Sequence, residues 1–381
     1  MEFSCLQDNL SKGLANVSRA VAQRAPLPIT QNVLIETEDS KIKITATNLE
    51  IAISTWISGT VSETGSLTIP ARMFTDFINS LPSGEQVEIK KIKDKASVEI
   101  KCNSYKGRIS GTDSEEFPPI PEATEDPPIS VSAASLKKSL RRVALVAATD
   151  DSRPVLMGVK IEIAENNITF AAADGFRLAV DKVETFDSPD VKSSAIVPGK
   201  TMLEVERLID ESSKENIQIA ITDSSNQILF IMDNVQVVSQ LIQGQFPDYE
   251  KLIPNSSTTQ TYVDRKKFLE SVRAASIFAR DGSGIIKLVI DNGSKKISVL
   301  SNAEEIGDLE NDIDADIHGE ESKVAFNSRF LQDVVSALDA DIIRLDTSSP
   351  SSPGVFTEKS DGDAGGSTTY RHVIMPMFVQ W

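Results

Sequence analysis

Cysteine, histidine, aromatic side chains and positive charge are all scarce in this chain, and each scarcity removes a class of function. Cys5 and Cys102 are the only cysteines in 381 residues, too few for a disulfide scaffold, so reduced thiols in a cytoplasmic protein are expected. His318 and His372 are the only histidines and no Cys-x-x-Cys pair occurs, so no metal centre is expected. Neither a Ser-His-Asp nor a Cys-His constellation can be assembled from these residues, which leaves no basis for an enzyme or for a cofactor. Lys and Arg total 39 against 56 Asp and Glu, a formal charge of −17. A general basic coat for nucleic acid is thereby excluded, and only a local basic face on an acidic exterior remains open. Aromatics at 6% are too thinly spread to read as a stacking platform for bases. No run approaches roughly 18 apolar residues, so no membrane-spanning helix is expected. Met1 to Asp8 lacks the basic start and apolar run of a signal peptide.

What is present is an ordinary globular balance, 40% hydrophobic and 25% charged, over a length that suits two to four domains of about 100–200 residues. The chain repeats itself. Gly65-Ser66-Leu67-Thr68-Ile69-Pro70 leads into a helical pattern, as do Ser194 to Gly199 and Ser322 to Asn327, and the junctions Pro70, Pro198 and Phe326 stand 128 residues apart. Alternating strands beginning at Lys41, Asn167 and Lys296 each run to a turn position, Asn48, Asp174 or Asn302. Phe117-Pro118 and Phe246-Pro247 mark the closing ends of the first two copies. Three domains follow, 1–127, 128–255 and 256–381, with boundaries near Pro127-Pro128 and Ile253 to Ser257. Each carries period-two strands and two amphipathic helices. In the first copy Leu10, Leu14, Val17 and Val21 mark one helix, and Met73, Phe74, Phe77 and Leu81 the other. The fold class is α+β, antiparallel sheets backed by helices.

The scarce cations are not scattered. Lys12 and Arg19 lie opposite the apolar stripe of the first helix of the first copy. The corresponding helix of the second copy turns Leu136, Leu140 and Val143 inward and Lys138, Arg141 and Arg142 outward; that of the third sets Lys266 and Arg273 away from Phe268, Val272 and Ala275. Lys200 and Arg207 add charge on a second helix. One such helix is a solvated amphipathic face. Three of them in an acidic chain point to one shared surface facing a polyanion, by phosphate contact rather than base readout. The run Asp312 to Asp316 imitates a calcium loop but has Ile317 at the sixth position and Lys323 at the twelfth, so it reads as a strand with a solvated side. Gly282-Ser283-Gly284 and Asp361 to Gly366 lack the context of a phosphate loop.

Several strings occur in the order of one family: Arg24 to Ile29, Asp151 to Val159, Ala173 to Ala179, Gly244 to Tyr249 and Val373 to Met377. On these strings and the triplication, the chain resembles the bacterial sliding clamp, the beta subunit of DNA polymerase III, over essentially its whole length. The resemblance implies the DNA clamp fold: three similar domains per chain, in a head-to-tail homodimer closing a ring around duplex DNA, helices inside and sheets outside. It implies a non-catalytic processivity factor that holds DNA sequence-independently through Lys12, Arg19, Arg24, Lys138, Arg141, Arg142, Lys200, Arg207, Lys266 and Arg273. Arg24 matches the family's DNA-contact position after the first helix.

The resemblance also implies a cleft between the second and third domains that takes short peptides from polymerase, clamp loader and repair proteins. Its walls would come from Leu156, Ala173, Gly175, Phe176, Arg177 and Leu178, then Pro247, Lys251 and Leu252, and finally Asn327, Phe330, Val373, Met375, Pro376 and Met377. By pattern alone Leu178, Met375 and Met377 suit core packing equally well. Family members often carry Thr and His where Ala173 and Phe176 stand, and many end two residues after Met-Pro-Met; here Phe378 to Trp381 follows and could enlarge the cleft or occupy it. The segments Ser348 to Ser352 and Asp361 to Ser367 are loop-rich. Ile277 and Phe278 match the family's dimer-interface positions, with Tyr105 and Ile109 as partners across the junction, although core burial accounts for all four as well. The competing reading is a peptide-binding scaffold that never encloses DNA.

Overall fold

The computed structural model describes residues 1–381 apart from 25–26, 39–40, 94, 122–127, 188–191, 211–215, 223–225, 282, 304–306, 360–368 and 381. Ala25, Pro26, Pro127, Gly282, Asp361 to Ser367 and Trp381, all singled out from the sequence, lie outside the described residues. Six helices are described: α1 (Gln7–Val17), α2 (Ala71–Ser80), α3 (Ala133–Val143), α4 (Gly199–Leu208), α5 (Arg265–Asp281) and α6 (Ser328–Ala337). They come in pairs, one pair per repeat.

By compactness the chain forms two units. The first comprises Met1–Lys137, Thr185–Asp187 and Glu204–Leu241, and the second Lys138–Glu184, Ser188–Leu203 and Ile242–Trp381. The middle repeat is therefore shared, because sheets run on across both repeat boundaries. In the first unit, Val235–Gln240 of the second repeat pairs antiparallel with Ile51–Ser58 of the first, joining an eight-stranded sheet. A separate five-stranded sheet runs Thr60–Glu63, Glu2–Leu6, Gln86–Lys91, Ser97–Cys102, Tyr105–Ser110. In the second unit, Arg371–Ile374 of the third repeat pairs with Arg177–Glu184 of the second, within a twelve-stranded order.

The helices form because their apolar spacing matches the sheets beneath them. Leu10, Leu14 and Val17 of α1 are buried against Lys41–Thr47 and Ile51–Ser58. Gly13 permits the close approach: a Cβ there would sit 2.9 Å from Ile57 Cγ2 and 3.1 Å from Ile44 Cδ1. Phe268, Val272 and Ala275 of α5 are fully buried, with Lys266 and Arg273 exposed. Val33 and Ile35, Ile42 and Ile44, and Val98, Ile100 and Cys102 are buried on their strands. Asp312 to Asp316 lies in Gly307–Gly319, with Ile313 and Ile317 buried and the aspartates exposed.

Two expectations are corrected. On α2 the buried stripe is Ala71, Phe74 and Ile78, and Met73 is 61% exposed, because the helix turns its other side to the sheet. On α3 Arg142 does not point away from the core; it is 2% exposed. At about 100° per residue it stands no nearer the Leu136–Leu140–Val143 stripe than the exposed Arg141 does; it is buried because carboxylates from the third repeat close over it.

Candidate functional site

The cations are arranged around two carboxylates. In the first unit Arg19 Nη1 lies 3.3 Å from Glu204 Oε1, and Arg207 Nε lies 2.8 Å from Glu204 Oε2. Arg207 Nη2 also donates to the Asn16 carbonyl near the end of α1 at 3.1 Å. In the second unit Asp339, just past α6, takes Lys138 Nζ at 3.3 Å, Arg141 Nη2 at 3.1 Å and Arg142 Nη2 at 3.1 Å. Arg142 also bonds Glu358, donates from Nε to the Ala337 carbonyl at 3.2 Å, and covers the Tyr370 ring with its guanidinium 5.0 Å from the centroid. Burial works against the charged form of Asp339, but Arg142, and after it Lys138 and Arg141, hold its carboxyl below the usual range. Lys12, Arg24, Lys200, Lys266 and Arg273 are exposed.

The apolar site belongs to the second unit. Asp174 Oδ1 accepts from the backbone N–H groups of Phe176 at 2.9 Å and Arg177 at 3.0 Å, and Gly175 adopts φ +92° to close that turn. The turn throws Phe176 outward, 62% exposed, while its carbonyl accepts Met375 N–H at 2.8 Å. Arg177 turns inward. Its Nε bonds Asp174 at 2.9 Å, Nη1 bonds Asp333 of α6 at 2.7 Å and Nη2 donates to the Leu145 carbonyl at 3.1 Å. The guanidinium lies 4.4 Å from the centre of the Phe330 ring, and Phe330 stacks on Phe176 with 6.5 Å between centroids. Beneath this surface Leu156, Ala173, Leu178 and Val373 form one buried cluster with Tyr249. Met375 is exposed and Pro376 and Met377 are half-buried, with Met377 N–H held by the Ala325 carbonyl at 2.7 Å.

The other expected wall residues have different surroundings. Asn327 spends its Oδ1 capping α6, accepting from Arg329 N–H at 3.0 Å and Phe330 N–H at 3.3 Å. Lys251 pairs with Asp248 at 2.7 Å, and Pro247 and Leu252 are exposed. Phe378 is 87% exposed. The Gln380 carbonyl accepts from Lys287 Nζ at 2.6 Å. Sequence pattern does not single out Tyr249, Asp174 or Asp333 as site residues. Tyr249 is visible in the Gly244 to Tyr249 string, whereas Asp333, which anchors Arg177, carries no local signal. His372 is fully buried, and burial, then Arg177, pushes its pKa down to about 3, so it stays neutral.

The first unit builds the same turn without the same surface. Asn48 Oδ1 accepts from Glu50 and Ile51 N–H at 3.0 and 2.9 Å, with Leu49 at φ +78°. Thr30, Thr47 and Glu50 stand where Leu156, Ala173 and Phe176 stand, and Ile120 packs onto the small cluster of Ala52, Leu229 and Val238. Polar side chains thus replace three of the second unit's apolar wall residues, although Leu49 in this turn is exposed.

Among the described residues, two strands lack the neighbour that their counterparts in the other repeats have. Tyr105–Ser110 pairs only with Ser97–Cys102. Residues 307–314 of Gly307–Gly319 pair only with Lys296–Ala303, although the equivalent Ile51–Ser58 and Arg177–Glu184 each take the last strand of the following repeat. Ile277 is 58% exposed and Phe278 half-buried at the end of α5; Tyr105 is exposed and Ile109 buried.

Three family models match in succession, the N-terminal, central and C-terminal domains of the DNA polymerase III beta subunit, at residues 1–121, 130–248 and 250–378. The Beta sliding clamp of Staphylococcus aureus (strain Mu50 / ATCC 700699) is 30% identical over 371 residues, covering 95% of this chain and 96% of that protein. The solved DNA polymerase sliding clamp of Bacillus subtilis matches with a TM-score of 0.91 at 28% identity, over 100% of both chains. A solved DNA polymerase III beta subunit of Eubacterium rectale matches with a TM-score of 0.88 at 27% identity, over 99% of each.

Removing the buried guanidinium should cost stability through the unpaired carboxylates left behind. Arg142→Ala is expected to lower unfolding stability by about 3 kcal/mol, read by urea denaturation. A loss under about 1 kcal/mol would show that Arg142 is not the hub of this network.

Proposed function

The chain belongs to the bacterial sliding-clamp family, the beta subunit of DNA polymerase III, and from that membership we propose that it is a DNA polymerase processivity factor working in the cytoplasm as a head-to-tail homodimer that encircles duplex DNA. The observation that supports the ring is that residues 105–110 and 307–314 lack the junction partner their counterparts have. Within the chain, Ala52 faces Val238 and Leu178 faces Val373. Matching the repeats hairpin by hairpin makes Asp308 the counterpart of Ala52 and Leu178, and Arg108 the counterpart of Val238 and Val373. The third junction, made with a second copy, then sets Asp308 opposite Arg108 and Glu310 opposite Lys106 on the outer face. Leu309, Gly307 and Asn311 meet Gly107, Ile109 and Tyr105 on the helix side. Pleat parity is consistent with this register, since Lys106 and Arg108 share one side of their strand, Asp308 and Glu310 share one side of theirs, and all four are exposed. Phe278, 3.7 Å from where a Cβ on Gly307 would lie, and Phe77, packed against Gly107, supply apolar cover beneath. Two identical junctions related by a two-fold axis close a ring and remove both edges.

Such a ring holds DNA by enclosure, so weak sequence-blind phosphate contacts suffice. Lys12, Arg19, Arg24, Lys138, Arg141, Lys200, Arg207, Lys266 and Arg273 are the proposed inner surface; Arg142 acts from behind it. The Phe176–Phe330–Met375 surface over the Leu156–Leu178–Val373 cluster is the proposed seat for the hydrophobic end of a partner peptide from polymerase, clamp loader or repair proteins. Phe378, 87% exposed, does not fill that surface.

Three outcomes test this reading. Protein loaded on a circular duplex should remain bound and should slide off after linearisation; equal retention on both would favour the peptide-binding scaffold. Asp308→Lys with Glu310→Lys should weaken the dimer about tenfold in sedimentation equilibrium, and Arg108→Glu with Lys106→Glu in the same chain should restore it. An unchanged dissociation constant would remove the register. Phe176→Ala and Met377→Ala should each weaken a clamp-binding peptide about tenfold in anisotropy titrations while leaving the dimer intact; unaltered affinity would move the peptide seat elsewhere.

A further inference from the structure

We propose that Glu204 and Asp339 are resident counter-ions that weaken four of the inner cations, Arg19, Arg207, Lys138 and Arg141, so that the chain meets a phosphate backbone with lowered affinity. The proposal rests on the DNA-facing reading above and adds a regulating element to that same surface. The two carboxylates occupy corresponding situations. Glu204, on the second helix of the middle repeat, sits between Arg207 and Arg19, which follows the first helix of the preceding repeat. Asp339, just after the second helix of the last repeat, sits among Lys138, Arg141 and Arg142 on the first helix of the preceding repeat. At each boundary inside the chain, then, an acid from one repeat answers the cations of the one before it. At the boundary that the chain leaves open, Lys266 and Arg273 of α5 have no such acid among the described residues.

A cation held about 3 Å from a carboxylate offers little net field beyond a Debye length of about 8 Å. It also carries no condensed anion to release, and a phosphate must displace a tethered competitor to reach it. Lys266 and Arg273 face no such competitor from a following repeat among the described residues. Binding to DNA should therefore draw on fewer charges than the helix faces display, which suits a ring that must stay on by topology and still move.

The test uses the intact dimer and a short linear duplex, which enclosure cannot retain, so that only direct contact is measured. Glu204→Gln with Asp339→Asn should raise affinity in anisotropy titrations by about five- to tenfold and steepen the slope of log K against log salt by about 0.9 per phosphate gained. Glu204→Gln alone should give part of the effect, and it leaves the buried network untouched; in Asp339→Asn, Arg142 keeps Glu358 and the Ala337 carbonyl. Lys266→Ala with Arg273→Ala should weaken binding in either background. If that pair weakens binding while both carboxylate variants, folded by their melting curves, leave affinity and salt slope unchanged, the counter-ion role is wrong and the DNA-facing surface survives. If removing Lys266 and Arg273 also changes nothing, the DNA-facing reading fails and the counter-ion role fails with it.

Discussion

Antiparallel pairing between the last strand of one repeat and the fourth strand of the repeat before it is the interaction on which the rest depends. It occurs twice in the chain, Val235–Gln240 on Ile51–Ser58 and Arg371–Ile374 on Arg177–Glu184. Each pairing satisfies backbone donors and acceptors that would otherwise form an exposed edge. Each also explains why compactness divides three repeats into two units: the ladder crosses the repeat boundary and splits the middle repeat between its neighbours. A chain built by this rule has one strand left over at each end. Residues 105–110 and 307–314 are those strands, and their outward charges are of opposite sign.

The same pairing assembles the apolar site. Leu178 and Val373 face each other across the second junction, and the Asp174 turn next to it sends Phe176 out and Arg177 in. Arg177 then fixes Phe330 through Asp333 and its own face-on contact. At the first junction the turn is repeated with Asn48, but Thr30, Thr47 and Glu50 replace the apolar wall. Geometry common to the repeats is thus given different chemistry by a few side chains.

Much of this is legible in the sequence, for reasons of range. Repeats, alternating strands and helix faces are short-range patterns, and they place Leu10, Leu136, Phe268 and the exposed Lys12, Lys138 and Lys266 correctly. Periodicity misplaces Met73 because Ala71, Phe74 and Ile78 form an equally good stripe one step round the helix. It misplaces Arg142 because the carboxylate that buries it arrives from 197 residues away, and no local period reports such a partner. Asp333 escapes notice for the same reason, since Arg177 reaches it from another repeat, and so does the Arg19 contact of Glu204, whose pairing with Arg207 alone is local. The cleft residues are reached through family strings rather than periodicity, since a buried leucine such as Leu178 looks the same whether it lies beneath a binding surface or in a core.

Closure is the central claim, and cross-linking tests it most directly. With Lys106→Cys and Glu310→Cys in one chain, the two new thiols lie opposite each other only if a second copy completes the sheet in the register that sets Asp308 against Arg108; native Cys5 and Cys102 are buried. Mild oxidation should then yield a covalent dimer and no longer species, because two head-to-tail junctions use up both edges. A ladder of higher oligomers would mean head-to-tail contact without closure, and no cross-link at all would mean that these edges do not meet.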